Sequence, residues 1–253
     1  VLSTFRRELI DEACSGPLGN LLPDCEYVAA DAIQSVKIMH MIQKMNDITR
    51  YIDSNDLIPI DLTWQNNIEG SINLFHGKLE LLQSLADDDR VQTVCEVGFN
   101  AGHSTATFLS ANPSASILAF DISRRMYTAA AINSMGSVFP DRVVTLIEGD
   151  SKLSVPNFIQ LLRHHSEALS VQCNLIFIDG AHDFEGAIAD IINLMPLANA
   201  TYHRVIIDDV NYPTVRDAVD TAINHDLITV HESKEVESTV CNYAESVVSG
   251  PFT

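Results

Sequence analysis

The feature that most constrains the fold is a series of five short apolar runs, separated by segments long enough for helices. The runs lie between Val91 and Val210 and read VQTVCEVG, SILAFDI, RVVTLIEGD, CNLIFIDG and HRVIIDDV. Apolar strands that alternate with helices are typical of a parallel sheet covered by helices on both faces. Two further runs, LITVHES and STVCNYAESVV, follow near the C-terminus. The sequence therefore predicts a doubly wound, mostly parallel seven-stranded α/β sheet.

The N-terminal part of the chain has a different character. Methionines and isoleucines recur near helical spacing in EYVAADAIQSVKIMHMIQKMNDITRYI, which predicts an amphipathic helix. We therefore expect an N-terminal helical extension over residues 1–66 and an α/β domain over residues 67–253. The extension would serve as a substrate lid or as the surface through which a homo-oligomer forms.

Charge and cysteine content narrow the choice of partners and compartment. The chain has 34 Asp and Glu against 15 Lys and Arg, a formal net charge of -19, so its average surface repels nucleic acid and anionic lipid. The five cysteines are widely spaced and never form a C-x-x-C pair, which argues against a disulfide framework and against a zinc site. No signal peptide or run of about 18 apolar residues is evident. We expect a cytoplasmic protein that binds neither nucleic acid nor membrane.

An acidic residue lies at the end of every one of the five predicted strands. The residues are Glu96, Asp121, Asp150, Asp179, and Asp208 with Asp209. In a doubly wound sheet, ligands bind beyond the carboxyl ends of the strands. The sequence therefore predicts that the functional site lies among these residues.

The turn after the first strand indicates what kind of ligand binds there. Gly98 and Gly102 form G-x-x-x-G rather than the G-x-G-x-x-G that lets a dinucleotide pyrophosphate approach a helix. Asp121 ends the next strand, where a carboxylate can accept both hydroxyls of a ribose. Together these residues indicate a nucleoside without a pyrophosphate.

The acidic residues after the fourth and fifth strands suggest a metal site. Neighbouring strands are about 4.8 Å apart, so Asp179 and Asp208 can converge, with Asp209 beside them. Such carboxylates repel one another unless a cation lies among them, and an all-oxygen set favours Mg²⁺ or Ca²⁺. The alternatives are that Asp208 and Asp209 merely cap a loop or that an arginine neutralises the carboxylates. The candidate arginines are Arg124, Arg204 and Arg216.

Four motifs resemble those of a known enzyme family. CEVGFNAGHS and AFDI resemble the donor-binding motifs of class I S-adenosylmethionine-dependent methyltransferases. FIDGAHDF and VIIDDV are similar to those of the metal-dependent small-molecule O-methyltransferases, which include catechol, caffeoyl-CoA, macrolide and cephamycin enzymes. The resemblance covers about residues 67–210 and implies a Rossmann-like methyltransferase fold.

The resemblance also implies roles for individual residues. Gly98 and Gly102 would approach the methionine part of S-adenosylmethionine, Ser104 its carboxylate, and Asp121 its ribose. Asp150 and Ser151 would flank the adenine. The full set of expected cofactor-binding residues is Glu69, Glu96, Gly98, Gly102, Ser104, Asp121, Asp150, Ser151 and Asp179. The expected ligands of Mg²⁺, or of Ca²⁺ or Mn²⁺, are Asp179, Asp208 and Asp209. His103 departs from the tyrosine that is usual in the family.

His182 is the expected catalytic residue. It follows Asp179 by three residues, where the catechol and caffeoyl-CoA enzymes have a lysine thought to act as base. An imidazole is a common general base at neutral pH. The alternatives are that His182 is a partner of the nearby carboxylates or a residue at a helix start.

These observations predict a metal-assisted O-methyltransferase of secondary metabolism, whose acceptor is a small phenol, sugar or natural product with adjacent oxygens. The alternatives are a metal-independent N- or carboxyl-methyltransferase, an aminopropyl transferase, and a non-catalytic nucleoside-binding protein. The acceptor would be selected by the N-terminal helix, the loop around Trp64 and the segment around Tyr212.

Overall fold

The computed structural model of the protein describes residues 76–125, 127–164 and 171–229. The chain divides into two units, and all described residues belong to the second, Lys44–Thr253. The expected N-terminal helix, Glu69, Trp64 and the boundary between residues 66 and 67 lie outside the described residues. So does nearly all of the two C-terminal strand candidates, and the described start of the first, residues 227–229, is not in a strand.

The described strands form one parallel sheet in which every partner strand runs in the same direction. The strands are β1 (Thr93–Val97), β2 (Ser116–Asp121), β3 (Val144–Glu148), β4 (Leu175–Ile178) and β5 (Arg204–Ile207). Their order across the sheet is β3-β2-β1-β4-β5. The five strands predicted from the apolar runs are confirmed.

One helix precedes β1, one follows β5, and the others connect consecutive strands, as a parallel sheet requires. The helices are α1 (His76–Ala86), α2 (His103–Ala111), α3 (Thr128–Val138), α4 (Ser151–His164), α5 (Phe184–Leu194) and α6 (Pro213–Asn224), with a short 3₁₀ helix at Met195–Leu197. None of the helices within the described ranges has both the length and the apolar character needed to cross a membrane.

The strand order creates a switch point between β1 and β4. From β1 the chain builds outward through β2 to β3, and it then crosses to the other side of β1 to form β4 and β5. The loops that follow β1 and β4 therefore leave the sheet in opposite directions and open a cleft between them.

Burial explains why the apolar runs predicted the sheet. All four residues of β4 are buried, as are four of the five in β1, whereas β3 at the sheet edge has no fully buried residue. A strand covered on both faces is apolar at most of its positions. The aromatic core includes an edge-to-face pair between Phe108 of α2 and Phe177 of β4.

The cysteine spacing argued against a disulfide framework, yet the described residues contain a disulfide. Cys95 of β1 and Cys173, just before β4, form a disulfide bond, and both residues are fully buried. The two cysteines are 78 residues apart in sequence. Spacing along the chain does not show which strands become neighbours, and this is why the sequence argument missed the bond. The cytoplasmic location stays a prediction.

Candidate active site

The candidate active site is a cleft of about 710 Å³ at the carboxyl ends of the strands, on both sides of the switch point. The residues predicted from the sequence that line it are Gly98, Ser104, Asp121, Asp150, Ser151, Asp179, His182 and Asp209. Glu96, Gly102 and Asp208 are buried and do not line it. The structure thus brings most of the predicted residues together in one place.

The two glycines of the turn after β1 are required by backbone geometry. Gly98 has a φ of 99°, and a Cβ at this position would overlap the backbone carbonyl of Asp179 after β4. Gly102 has a φ of 76°, and a Cβ there would overlap the side chain of Met135. A larger residue at either position would force the turn to move. The predicted contact of the glycines with the cofactor stays a prediction.

Glu96 is a buried carboxyl group under this turn. It accepts hydrogen bonds from the hydroxyl of Ser104 and from Thr105 Oγ1, the latter at 2.5 Å. Burial raises the pKa of Glu96 to about 7, and the two hydroxyl donors oppose the change only in part. Glu96 therefore anchors the start of α2, and the Ser104 hydroxyl points toward Glu96.

Asp121 holds two loops in place at the end of β2. Its Oδ2 accepts the backbone N–H of Asn100 at 2.7 Å, and its Oδ1 accepts the backbone N–H of Ser123 at 2.5 Å. Asn100 and Ser123 both have a positive φ, of 51° and 52°, so the carboxylate stabilises backbone that is otherwise unfavourable. Tyr127 also donates to Asn100 Oδ1, at 2.6 Å. Each carboxylate oxygen has a second lone pair that remains suited to a ribose hydroxyl.

Asp150 and Ser151 lie where β3 leads into α4. The backbone carbonyl of Asp150 accepts the N–H groups of Leu153 and Ser154, and Asp150 Oδ1 accepts the N–H of Lys152 at 3.0 Å. Asp150 thus caps the helix, which is a local reason for an acidic residue here. Both Asp150 and Ser151 also face the cleft, as their predicted place beside the adenine requires.

A lysine lies among the acidic residues that follow β4 and β5. Lys78 of α1 forms an ion pair with Asp208, and its Nζ is 3.8 Å from Asp179 Oδ2. The ammonium also lies 5.8 Å from the centre of the Phe177 ring. An arginine was one expected cation here, but the residue in this position is Lys78, which is 130 residues from Asp208 in the chain.

The pKa values of the two cluster carboxyls that line the cleft reflect burial and mutual repulsion. Burial raises the pKa of Asp179 well above its ordinary value, and the charge of Asp208 adds to this effect while Lys78 opposes it. Burial and the charge of Asp208 also raise the pKa of Asp209, against the influence of His182. The ionised form of these carboxyl groups is therefore unfavourable, and a nearby cation stabilises it.

His182 is fixed by contacts on three sides. Its Nε2 is 2.8 Å from Asp209 Oδ2, and its ring stacks on Tyr212 with 4.6 Å between ring centres and 19° between planes. The hydroxyl of Thr214 donates to the backbone carbonyl of His182. The expectation that His182 is a partner of a carboxylate and the expectation that it is a base are compatible with this geometry, because a carboxylate orients a catalytic imidazole.

The donor atoms of Asp179, His182 and Asp209 all lie within 4.8 Å of one another, a spacing at which one metal ion can contact all three. Within the described residues, Asp208 is not part of this group, and its carboxylate forms an ion pair with Lys78. The two carboxylates of the group suit Mg²⁺, Ca²⁺ or Mn²⁺. The residues present thus fit a divalent ion, although the predicted role of Asp208 as a ligand stays a prediction.

Part of the chain matches a known protein family. Residues 95–210, from within β1 to just after β5, match a family described as a methyltransferase domain. Residues 95–210 are a methyltransferase domain. The predicted methyltransferase is confirmed by this match. No curated protein matches the chain.

Solved structures share the fold of the methyltransferase domain. An O-methyltransferase from Bacillus cereus in complex with S-adenosylhomocysteine has a TM-score of 0.58 and 13% identity, covering 82% of this chain and 91% of that one. TomG, an O-methyltransferase of tomaymycin synthesis from Streptomyces achromogenes, has a TM-score of 0.57 and 12% identity, covering 82% and 90%. CalS11, a TDP-rhamnose 3'-O-methyltransferase of calicheamicin biosynthesis, has a TM-score of 0.54 and 16% identity, covering 80% and 93%. The predicted Rossmann-like fold is confirmed.

Some residues of the site lie outside the sequence range that defines the methyltransferase domain. Lys78 precedes the matched range, while Tyr212 and Thr214 follow it. Nothing in the sequence around Lys78 indicates that it belongs to the site. Tyr212 was named only as part of the acceptor-selecting segment, and its stacking on His182 becomes visible only in the fold.

Proposed function

We propose that the protein is an S-adenosylmethionine-dependent O-methyltransferase that methylates a hydroxyl of a small molecule with adjacent oxygens, assisted by a divalent metal ion. The observation that carries the proposal is the His182–Asp209 pair, which lines the same cleft as Asp121 and Asp179. A proton acceptor beside carboxylate oxygens suits the removal of a hydroxyl proton. The O-methyltransferases of similar fold support the reaction class, and two of them are in complex with S-adenosylmethionine or S-adenosylhomocysteine.

The donor would lie across the carboxyl ends of β1, β2 and β3. Asp121 would accept the ribose hydroxyls with its remaining lone pairs, and Asp150 and Ser151 would lie beside the adenine. The sulfonium of S-adenosylmethionine is a cation, and the carboxylates of Asp121 and Asp179 in this cleft favour it electrostatically. The methyl group would then point toward the part of the cleft that contains Asp179 and His182.

His182 would receive the proton of the acceptor hydroxyl. Because Nε2 faces Asp209, Nδ1 is the ring nitrogen with a free lone pair when the imidazole is neutral. The O–H bond breaks as Nδ1 takes the proton, the acceptor oxygen attacks the donor methyl, and the C–S electron pair returns to sulfur. The products are a methyl ether, S-adenosylhomocysteine and an imidazolium that Asp209 stabilises. Holding the oxygen, carbon and sulfur in line supplies much of the acceleration.

Asp179 and Asp209 are the oxygen ligands that fit a metal ion while His182 remains free to act as the base. When bound, a divalent ion lowers the pKa of an acceptor hydroxyl and fixes two neighbouring oxygens. Asp179 lies beside the backbone of Gly98, so its carboxylate would be next to the turn after β1 that is predicted to contact the methyl donor.

Titration calorimetry with S-adenosylhomocysteine, followed by methyl-transfer assays, tests the proposal. The wild-type protein should bind S-adenosylhomocysteine, Asp121→Ala should lose most of this affinity, and His182→Ala should retain it. With labelled S-adenosylmethionine and a panel of catechols and vicinal diols, His182→Ala should lower turnover by about 10²- to 10⁴-fold. A wild-type protein that does not bind S-adenosylhomocysteine would contradict the proposal, and unchanged turnover in His182→Ala would remove His182 as the base.

The position of Lys78 favours a second candidate, a methyltransferase that needs no metal. The Lys78 ammonium already supplies positive charge to Asp179 and Asp208. Turnover that is unchanged after dialysis against a chelator would favour this candidate. Turnover that is lost and then restored by added Mg²⁺ or Mn²⁺ would exclude it.

A further inference from the structure

Lys78 is an unusual residue in this site because it is a nearly buried cation. Its side chain is only 12% exposed, and the Asp208 side chain that pairs with it is 2% exposed. Lysines are almost never buried unless they are paired. Lys78 comes from α1, whereas the carboxylates follow β4 and β5, so the fold brings separate elements together to form this contact.

The charges around Lys78 explain why it stays there. The cluster has three carboxylates, of Asp179, Asp208 and Asp209, and an isolated buried carboxylate is strongly unfavourable. His182 lies on the Asp209 side, and Lys78 lies on the Asp208 and Asp179 side. Each of the two basic side chains therefore offsets part of the negative charge of the cluster.

We propose that Lys78 is a built-in counter-ion of the acidic cluster and that it competes with a divalent metal ion for the carboxylate of Asp179. The inference rests on the proposed function, because the metal site is the one assigned there. It assigns Lys78 two effects: the cluster is balanced in the absence of metal, and metal affinity is lower than the carboxylates alone would give.

Geometry makes the competition direct. Nζ of Lys78 is 3.8 Å from Asp179 Oδ2. A divalent ion bound to the same oxygen would lie about 2.0–2.6 Å from it, and therefore within a few ångströms of the ammonium. Like charges at that distance repel strongly in a partly buried site. The Lys78 ammonium thus opposes metal binding at Asp179, and removing the ammonium should strengthen metal binding.

Calorimetric titration of MnCl₂ into the full chain tests the proposal, with Mn²⁺ alone as the probe. The proteins compared are the wild type, Lys78→Met, and Lys152→Met as the matched control. Lys152 lines the same cleft and is 3.8 Å from Asp150 Oδ2, but its side chain is 44% exposed. Both variants change the net charge equally. Lys78→Met should bind Mn²⁺ at least about tenfold more tightly than the wild type, and Lys152→Met should differ by less than about threefold.

The outcomes separate this inference from the proposed function. Mn²⁺ affinity that is unchanged or weaker in Lys78→Met, an equal gain in Lys152→Met, or no binding in any protein would overturn the role of Lys78. If Lys78→Met does not fold, Lys78→Gln replaces the cation with a neutral polar group and carries the same expectation. A parallel titration with S-adenosylhomocysteine tests the donor site separately. Binding of S-adenosylhomocysteine together with Mn²⁺ binding that Lys78→Met does not strengthen would refute this inference alone, whereas no Mn²⁺ binding in any protein would also contradict the metal assistance in the proposed function.

Discussion

Replacing Glu96 with Gln should change how the stability of the protein depends on pH. Glu96 is fully buried, and burial raises its pKa from an ordinary 4.5 to about 7. A pKa difference of this size between the unfolded and folded states corresponds to about 3 kcal/mol of unfolding free energy. The perturbation therefore has a magnitude that chemical denaturation can resolve.

The sign of the effect follows from which state holds the proton. Below about pH 4.5 the Glu96 carboxyl is protonated in both states, so it does not make the unfolding free energy depend on pH. Between about pH 4.5 and pH 7 the unfolded chain releases the proton while the folded chain retains it, so stability falls as pH rises. Above about pH 7 both states are ionised and the loss levels off. Glutamine cannot ionise, so Glu96→Gln should lack this loss.

Urea unfolding of the wild type and Glu96→Gln from about pH 4 to about pH 8 tests this reasoning. The unfolding free energy of the variant relative to the wild type should rise by about 3 kcal/mol across the range, whatever the packing effect of the amide at low pH. Glu148→Gln, at an exposed position at the end of β3, is the control and should change stability by less than about 0.5 kcal/mol throughout. A difference between Glu96→Gln and the wild type that stays constant with pH would refute the assigned pKa.

Three further changes test other parts of the structure, each by thermal or denaturant unfolding. Lys78→Met should lower the free energy of unfolding by about 3–5 kcal/mol because it leaves Asp208 buried without a cation. The double variant Lys78→Met with Asp208→Asn should recover at least about 2 kcal/mol of this loss. Losses that are additive in the double variant would contradict the ion pair. Gly98→Ala should cost at least about 2 kcal/mol, whereas Gly136→Ala, in a helix with open space around it, should be neutral or stabilising; equal effects would exclude the close contact after β4. Replacing both bridged cysteines with alanine should lower the free energy of unfolding by up to about 4 kcal/mol, because the disulfide closes a loop of 78 residues. Peptide mapping of the wild-type protein without reductant should find Cys95 and Cys173 linked. Alkylation of both thiols in the native wild-type protein would show that no bond forms.

The sheet could be predicted because its strands are buried on both faces. β4 and most of β5 read as continuous apolar runs, and the acidic residue after each run marks where the strand leaves the core, whereas Glu96 lies inside β1 and is buried. Since all strands are parallel, their carboxyl ends meet at one edge, and the predicted residues that line the cleft come together for that reason.

The contacts that decide the chemistry could not be predicted in the same way. Lys78 reaches Asp208 across 130 residues, and nothing local distinguishes it from other helical lysines. Asp208 and Asp209 are identical neighbours in sequence, yet one pairs with Lys78 and the other with His182. Asp209 has a positive φ of 59°, a backbone conformation that is uncommon for residues other than glycine. Such a conformation depends on the surrounding structure, so it could not be predicted from the sequence at this point.

The loops around the cleft have a consequence for the thermodynamics of ligand binding. On one side Asp121 ties the loops after β1 and β2 together through the backbone of Asn100 and Ser123. On the other side His182 joins the loop after β4 to Asp209 and to the start of α6. Both sides are preorganised, so a ligand that enters has few loop residues to immobilise. The entropic cost of binding then falls mainly on the ligand itself, which favours a rigid acceptor over a flexible one.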